Sequence, residues 1–187
     1  TEGDSAKSTA MSGLEIVGRD KYGVFPLKGK LLNVRDIKNI KKILENEEIN
    51  NIKKIIGLKT NVTYTSVNEL RYGKILILTD QDEDGSHIKG LLFNLFDTLW
   101  PELFKMNGFL NGMLTPIVKV KMGTKTKFSS IDFYSSKDFK KWEAENKSNT
   151  KWTAKYYKGL GTSTPKEAKQ YFRDLKMIKY TAEEAAD

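Results

Sequence analysis

Residues 74–90 read KILILTDQDEDGSHIKG, and a change of pattern within this stretch decides the fold. The four consecutive apolar residues 75–78 are typical of a short strand buried on both faces, as in a parallel sheet. From Ile88 onward the apolar residues recur at the spacing of one helical face, through Leu91, Leu92, Leu95, Phe96 and Leu99. The stretch therefore predicts a strand, a turn and a helix, and open α/β sheets place ligand sites at such turns.

The turn itself carries Asp80, Asp82 and Asp84. Three carboxylates within five residues repel one another unless a cation lies among them, and Mg²⁺ takes one or two carboxylates together with waters and phosphate oxygens. The alternative is a solvated turn in which Ser86 or Asp84 caps the helix. Capping explains one acid of three, so we favour a metal site. An EF-hand loop is excluded, because its twelfth position is Leu91 and a strand, not a helix, precedes it.

Composition narrows the class of protein. The 187 residues are 39% hydrophobic, which is enough for one sizeable domain or a domain with an appendage. The net charge of +8, from 32 basic and 24 acidic residues, suggests a polyanionic partner, although a well-charged surface is the plainer explanation. The lack of cysteine and the single histidine argue against disulfides and multi-histidine zinc sites. No apolar run approaches membrane-spanning length, so we expect no membrane partner.

Three further segments are candidates for binding, each weak when taken alone. Glu2 lies in the acidic start of the chain, and taken alone it is better explained as part of a frayed, solvated terminus. Lys28 and Lys30 flank a glycine, so ammonium groups and bare backbone could approach a phosphate, or form a solvated basic turn. The Lys-Gly-Leu-Gly turn at 158–161 can present backbone N–H groups to an anion.

The remaining pattern predicts further helices and strands. We expect helices begun by Asp4 or Ser5, by Asp36, and by Ser135 or Ser136, a helix ending at Gly57, and a capping box at residues 164–167. Strands are expected within residues 109–122, 128–134 and 152–157. The helix after the acidic turn is expected to run past Trp100, with Pro101 kinking or restarting it, and residues 181–187 to form a frayed tail.

Four motifs occur in a fixed order along the chain: EGDSA at residues 2–6, PLKGK with LNVR at 26–35, DQDEDGSHI at 80–88, and YKGLGT at 157–162. Together they resemble the TOPRIM domain of type IIA DNA topoisomerases, from Glu2 to about Leu175. The form with Gln81 is closer to the eukaryotic and large-virus enzymes than to bacterial gyrase. The resemblance implies an α/β fold: a Rossmann-like, mostly parallel sheet flanked by helices, with a smaller α+β appendage. We expect a metal-binding core at 1–122 and, at 123–187, an extension with the Lys-Gly-Leu-Gly motif and a closing helix.

The resemblance also implies a function, namely the Mg²⁺-binding part of the DNA cleavage and religation site of an ATP-dependent type II topoisomerase. Glu2 and Asp80 would hold the catalytic ion at the scissile phosphate. Asp80 and Asp82 would hold a second ion, supported by Asp84, and Mn²⁺ or Ca²⁺ could substitute for Mg²⁺. Glu2, Asp80 and Asp82 are thus the expected catalytic residues.

Partners follow from the same resemblance. Lys28, Lys30 and Lys158 would contact double-stranded DNA, and His87 would lie beside the acids. The family's nucleophilic tyrosine belongs to a winged-helix domain and its ATPase to another domain, so we expect this chain to be a fragment that does not relax DNA alone. The parent protein would be a homodimer in the nucleus or, if viral, in the virion or a host compartment.

Two alternatives stay open. One is a TOPRIM nuclease or primase, against which the motifs around Lys28 and Lys158 argue. The other is a non-catalytic DNA-binding module with basic faces. Divalent-metal dependence separates the latter from a cleavage site, because binding through basic residues weakens with salt but needs no Mg²⁺.

Overall fold

The structure is a computed structural model that describes residues 1–123, 127–147 and 151–182. Its helices are α1 (Gly3–Val17), α2 (Ile40–Leu44), α3 (Glu47–Ile56), α4 (Glu83–Leu99), α5 (Pro101–Phe104), α6 (Ser136–Glu145) and α7 (Pro165–Arg173). Its strands are β1 (Ile75–Ile77), β2 (Leu110–Met113), β3 (Val118–Gly123), β4 (Phe128–Phe133), β5 (Trp152–Tyr156) and β6 (Met177–Tyr180). Most of the expected frayed tail, residues 183–187, lies outside the described residues.

The first sheet has the strand order β1-β2-β6. Strand β1 runs parallel to β2, and β2 runs antiparallel to β6. The start of the chain adds to the free edge of β1: the amide of Glu2 donates to the carbonyl of Leu78 (2.9 Å), and the amide of Leu27 donates to the carbonyl of Thr1 (2.9 Å). Glu2 and Leu27 form a parallel bridge. The first two residues therefore lie between an extended segment and the end of β1.

Strand β1 is covered on both faces, as its apolar run predicted. Ile75 and Ile77 join the main core, which α3, α4 and α5 cover. Leu76 and Leu78 join a second cluster. That second cluster is built largely by α1 and α7, through Ala6, Ala10, Tyr171 and Phe172. The fold is mixed α/β with small sheets flanked by helices, which confirms the expected class.

The second sheet is antiparallel, in the order β4-β3-β5. Val120 of β3 stands opposite Ile131 of β4 and Ala154 of β5. Helix α6 covers one face and packs Phe139 against Phe133, with ring centroids 5.5 Å apart. The chain then returns through α7 to the first sheet, where β6 adds the antiparallel strand.

Several expected helix starts are wrong, for local reasons. Helix α2 begins at Ile40, and the Asn39 side chain caps it by accepting from the amide of Lys41 (3.0 Å). Asp36 instead ends a short 3₁₀ turn, because the backbone at Ile37 is extended and breaks the helical path. Helix α1 begins at Gly3 without any side-chain cap, so neither Asp4 nor Ser5 has that role.

Other predicted boundaries are confirmed. Gly57 ends α3 in the left-handed conformation at φ 88°, and Pro101 opens α5. Ser135 caps α6, and Thr164 with Glu167 forms the predicted capping box. Among the described residues, no helix has the length and apolar character needed to cross a membrane.

Candidate metal and DNA-binding site

Glu2 and Asp80 lie 78 positions apart in the chain and meet at the end of β1. Glu2 is held there because its own amide binds the carbonyl of Leu78. Its carboxylate oxygen Oε2 then accepts a hydrogen bond from the amide of Asp80 (3.0 Å). The first and third sequence motifs therefore share one edge of the sheet.

The electrostatics of Glu2 reflect this crowding. Burial raises the pKa of Glu2, and the charges of Asp80, Asp82 and Asp84 raise it further. The hydrogen bond from the Asp80 amide opposes the shift without cancelling it. Three aspartates thus act on the Glu2 carboxylate, and a nearby cation would relieve that repulsion.

Each aspartate of the turn has a different environment. The Asp80 oxygen Oδ1 accepts from the amide of Leu160 (2.7 Å). Asp82 caps α4, because its Oδ1 accepts from the amide of Gly85 (2.8 Å). The cap is therefore Asp82, in place of the expected Ser86 or Asp84. An added β-carbon on Gly85 would overlap the carbonyl oxygen of Asp80, so this tight turn needs a glycine.

Asp84 connects the acidic turn to the basic motif. Its Oδ1 lies 3.0 Å from the Nζ of Lys30, and both side chains are exposed. A cleft of about 400 Å³ opens between the two motifs. The residues that line it are Glu2, Gly3, Leu27, Lys28, Gly29, Lys30, Asp84 and Ile88.

The other expected site residues lie on the surface. Lys28 and Lys158 are exposed, and Lys28 is fixed through its amide, which donates to Glu48 Oε1 (3.1 Å). His87 is exposed in the first turns of α4. Within the described ranges, no three Asp, Glu or His side chains lie close enough together to form a ready-made metal site.

Lys89 is a residue of this region that sequence reasoning missed. Burial lowers the pKa of its ammonium, whereas the charges of Glu2 and Asp82 raise it. The signal was its position seven residues after Asp82, the cap of α4, because positions two helical turns apart lie on one side of a helix. Lys89 is the basic residue that the helix itself supplies to the acids.

Two protein-family models match consecutive parts of the chain. The family model described as the Toprim domain matches residues 1–109, and the model described as the C-terminal associated domain of TOPRIM matches residues 113–187. The chain belongs to the TOPRIM family. The TOPRIM chain is 56% identical over 176 residues to DNA topoisomerase 2 of Pisum sativum, a match that covers 94% of the chain and 12% of the relative.

A viral relative and a solved structure are similar to the chain at a comparable level of identity. DNA topoisomerase 2 of Acanthamoeba polyphaga mimivirus is 53% identical over 182 residues, covering 96% of the TOPRIM chain and 14% of the relative. A solved structure described as the Plasmodium falciparum topoisomerase II DNA-binding, cleavage and re-ligation domain superposes with a TM-score of 0.84 and 53% identity. That match covers 92% of the TOPRIM chain and 23% of the other. The chain thus spans about one eighth of the length of the curated relatives it matches.

The TOPRIM residues present fit a divalent metal of the Mg²⁺ type. Mg²⁺ retains several waters and needs only one or two protein carboxylates when phosphate oxygens complete its shell. The Glu2 carboxylate contacts the backbone amide of Asp80, and the charge of Asp80 acts on it, so Glu2 and Asp80 would supply two such ligands. Because the described residues form no cluster of three carboxylates, the site is one that DNA phosphate would complete.

Proposed function

We propose that this TOPRIM chain forms the Mg²⁺-binding part of the DNA cleavage and religation site of an ATP-dependent type II DNA topoisomerase. The contact of the Glu2 carboxylate with the backbone amide of Asp80, beside a cleft that Glu2 lines together with Asp84, Lys28 and Lys30, is the observation that carries the proposal. Carboxylates and ammonium groups at one cleft suit a phosphodiester held with a divalent cation. Homology to type II topoisomerases supports this choice over a nuclease or primase.

We assign the ligands as the family resemblance implies. Glu2 and Asp80 would hold an ion at the scissile phosphate, Asp80 and Asp82 a second ion, and Asp84 would support the second. Bound there, divalent ions withdraw charge from the phosphate and stabilise the leaving 3′ oxygen. Asp84 forms an ion pair with Lys30 in this structure. A DNA phosphate that attracts Lys30 would free the Asp84 carboxylate to turn toward Asp80 and Asp82.

The chain's other polar residues then hold the DNA. Lys28 and Lys30 would bind the backbone at the cleft, and Lys158 would bind it from the Lys-Gly-Leu-Gly turn. Because burial and the aspartates raise the pKa of Glu2, its carboxyl takes up a proton more readily than an ordinary glutamate. A bound cation would oppose this shift, so a part for Glu2 in proton transfer with the 3′ oxygen rests on the family resemblance alone. His87 would support the acids from the start of α4.

The proposal extends to the parent protein. The nucleophilic tyrosine would come from a winged-helix domain and ATP hydrolysis from another domain, so the isolated chain would not relax DNA. We also propose a homodimeric parent, double-stranded DNA as substrate, and a nuclear or viral location. The division into a core at 1–122 and an extension at 123–187 stays a prediction of the same kind.

DNA cleavage by variants of the full-length parent protein tests the assignment of the metal ligands. We expect Glu2→Gln and Asp80→Asn to lower Mg²⁺-dependent cleavage of a DNA duplex about 100-fold or more, because each removes a charged metal ligand. Asp20→Asn, at an exposed loop position, is the control and should cleave normally. Normal cleavage by both site variants would contradict the proposal. DNA binding that weakens with salt but ignores Mg²⁺, without any cleavage, would favour the non-catalytic module.

A further inference from the structure

The carboxylate of Asp80 lies against the backbone of a turn that is distant in sequence. The Oδ1 atom accepts from the amide of Leu160 (2.7 Å), and the whole carboxylate faces the Cα of Gly159. A β-carbon at Gly159 would overlap Oδ2 and would lie only 2.7 Å from Cγ and 2.9 Å from Oδ1. The backbone of Gly159 has φ −173°, which any residue adopts, so the need for glycine here is steric.

The turn that makes this contact is itself firmly held. The Leu160 side chain is 3% exposed and packs in the cluster between α1 and α7. Its carbonyl accepts from the hydroxyl of Thr9 on α1 (3.1 Å), and the Thr162 hydroxyl donates to the carbonyl of Gly159 (2.7 Å). A fixed amide therefore holds one carboxylate oxygen, and a fixed Cα limits how the carboxylate can rotate.

The segments before and after the turn are both linked to the carboxylate of Glu167. Lys155 on β5 places its Nζ 2.8 Å from Glu167 Oε2, and Tyr157, the residue after β5, donates its hydroxyl to Glu167 Oε1. On α7, Glu167 closes the capping box with Thr164. The strand before the turn and the helix after it thus share one carboxylate, which limits the movement of the turn relative to Asp80.

We propose that the Gly159–Leu160 turn positions the Asp80 carboxylate for metal binding, with Gly159 and Leu160 acting as positioning residues through Asp80. The inference rests on the proposed function, because that function gives Asp80 a metal to bind. It assigns the Lys-Gly-Leu-Gly motif a role besides contact with DNA. It also gives a physical reason for the segment matched by the C-terminal associated domain of TOPRIM to accompany the metal-binding segment.

The chain offers a matched control within the same turn. A β-carbon at Gly161 would meet only Ser5, at 3.5 Å from its Cβ, which is an ordinary contact. Gly159→Ala and Gly161→Ala make the same chemical change two residues apart, but only the first displaces the Asp80 carboxylate. Partners that orient metal ligands typically contribute 10- to 100-fold to metal affinity.

The first readout is Mn²⁺ affinity of the intact protein, measured by electron paramagnetic resonance of free Mn²⁺ in the presence of a DNA duplex. We expect Gly159→Ala to raise the Kd for Mn²⁺ about 10- to 100-fold and Gly161→Ala to change it by less than about 2-fold. Equal Mn²⁺ affinity in the two variants would overturn the inference. Loss of Mn²⁺ binding in Asp80→Ala alone, with Gly159→Ala binding normally, would overturn the inference but leave the proposed function intact. Normal Mn²⁺ binding by Asp80→Ala would instead contradict the proposed function.

The second readout is thermal stability without metal, in EDTA. We expect Gly159→Ala to lower the Tm clearly in the natural background and much less in Asp80→Ala, where the clashing carboxylate is gone. An equal loss of Tm in both backgrounds would overturn the inference, because Gly159 would then act independently of Asp80. If Gly159→Ala does not fold, recovery of folding in the double variant supports the inference, and continued unfolding overturns it.

Discussion

Asp80 is the residue at which two distant segments of the chain meet the start of α4. Its amide binds Glu2, its carboxylate accepts from Leu160, and its carbonyl lies against Gly85 at the start of α4. Each contact uses a different part of the same residue. Substitution of Asp80 therefore disturbs the proposed metal site, whereas the amide contact with Glu2 survives any substitution except proline.

Asp82 has two roles that a pair of variants can separate. Its carboxylate caps α4 through Gly85, and we propose that it also binds the second ion. Asparagine caps a helix about as well as aspartate, whereas loss of the cap costs about 0.5–2 kcal/mol. We expect Asp82→Asn to keep the free energy of unfolding and Asp82→Ala to lower it by about 1 kcal/mol, as measured by urea denaturation.

Metal stoichiometry completes the Asp82 test. Both variants should bind less Mn²⁺ than the natural protein in the presence of DNA, because both lack the carboxylate charge. If Asp82→Asn binds Mn²⁺ with unchanged stoichiometry and affinity, Asp82 serves only as a helix cap, and the assignment of the second ion to Asp82 is wrong.

At the scale of secondary structure, the link between β5 and α7 depends on one carboxylate. Burial acts to raise the pKa of Glu167, but hydrogen bonds from Lys155, Tyr157 and Thr164 outweigh it and lower the pKa to about 2. Burial and the hydrogen bond to Glu167 raise the pKa of Tyr157 far above its usual value, so the phenol stays a donor. The deprotonated carboxylate is thus the form that the fold stabilises.

The pH dependence of stability follows from this shift. Because the pKa of Glu167 is lower in the folded protein than its ordinary value of 4.5, its contribution is complete above that pH and is lost as the pH falls toward about 2. We expect Glu167→Gln to lower the free energy of unfolding on the order of 1 kcal/mol at neutral pH, after allowance for solvent screening. Glutamine keeps one acceptor oxygen, which suffices for the capping box, so the variant removes the charge together with the hydrogen bond from Tyr157.

Urea denaturation of both proteins between pH 7 and pH 2 measures this effect. The difference between natural protein and Glu167→Gln should be constant above about pH 4.5 and should shrink below it. A difference that stays constant down to pH 2 would show that the charge of Glu167 contributes nothing to stability.

How much of this structure the sequence could predict depends on whether the signal is local. The pattern around residues 74–90 correctly indicated a doubly buried strand, an acidic turn and a helix, because strand burial and helical period are local properties. Strand β6 was missed, since its residues 177–180 are mostly exposed and only their pairing with β2 makes them a strand. The helix expected to begin after Asp36 begins at Ile40 instead, because Asn39, directly before Ile40, supplies the side-chain cap.

The candidate site likewise contains features that have a local sequence signal and features that have none. Residue pattern alone left Glu2 as a possible frayed end, and only the family resemblance suggested that it meets Asp80. The contact depends on sheet pairing between residues 78 positions apart, which no local pattern encodes. The Lys-Gly-Leu-Gly turn was expected to offer N–H groups to an anion, but sequence could not show that Asp80 is one acceptor.

At the scale of the whole molecule, segments from the beginning, the middle and the later part of the chain meet at Asp80, through its contacts with Glu2 and Leu160. Helix α1, which begins beside Glu2, packs on α7, and a β-carbon at Gly13 would overlap the Phe172 ring. The segment between them supplies the acidic turn. The chain carries a net charge of +8, and the cleft combines Glu2 and Asp84 with Lys28 and Lys30, an arrangement suited to a polyanion bridged by metal.

The most direct test of the central claim is a crystal structure of the chain with a DNA duplex and Mn²⁺, analysed by anomalous scattering. We expect an anomalous peak within about 2.5 Å of carboxylate oxygens from both Glu2 and Asp80, next to a DNA phosphate. An anomalous peak coordinated by other residues, or a phosphate bound in the cleft with no metal between it and these carboxylates, would contradict the account.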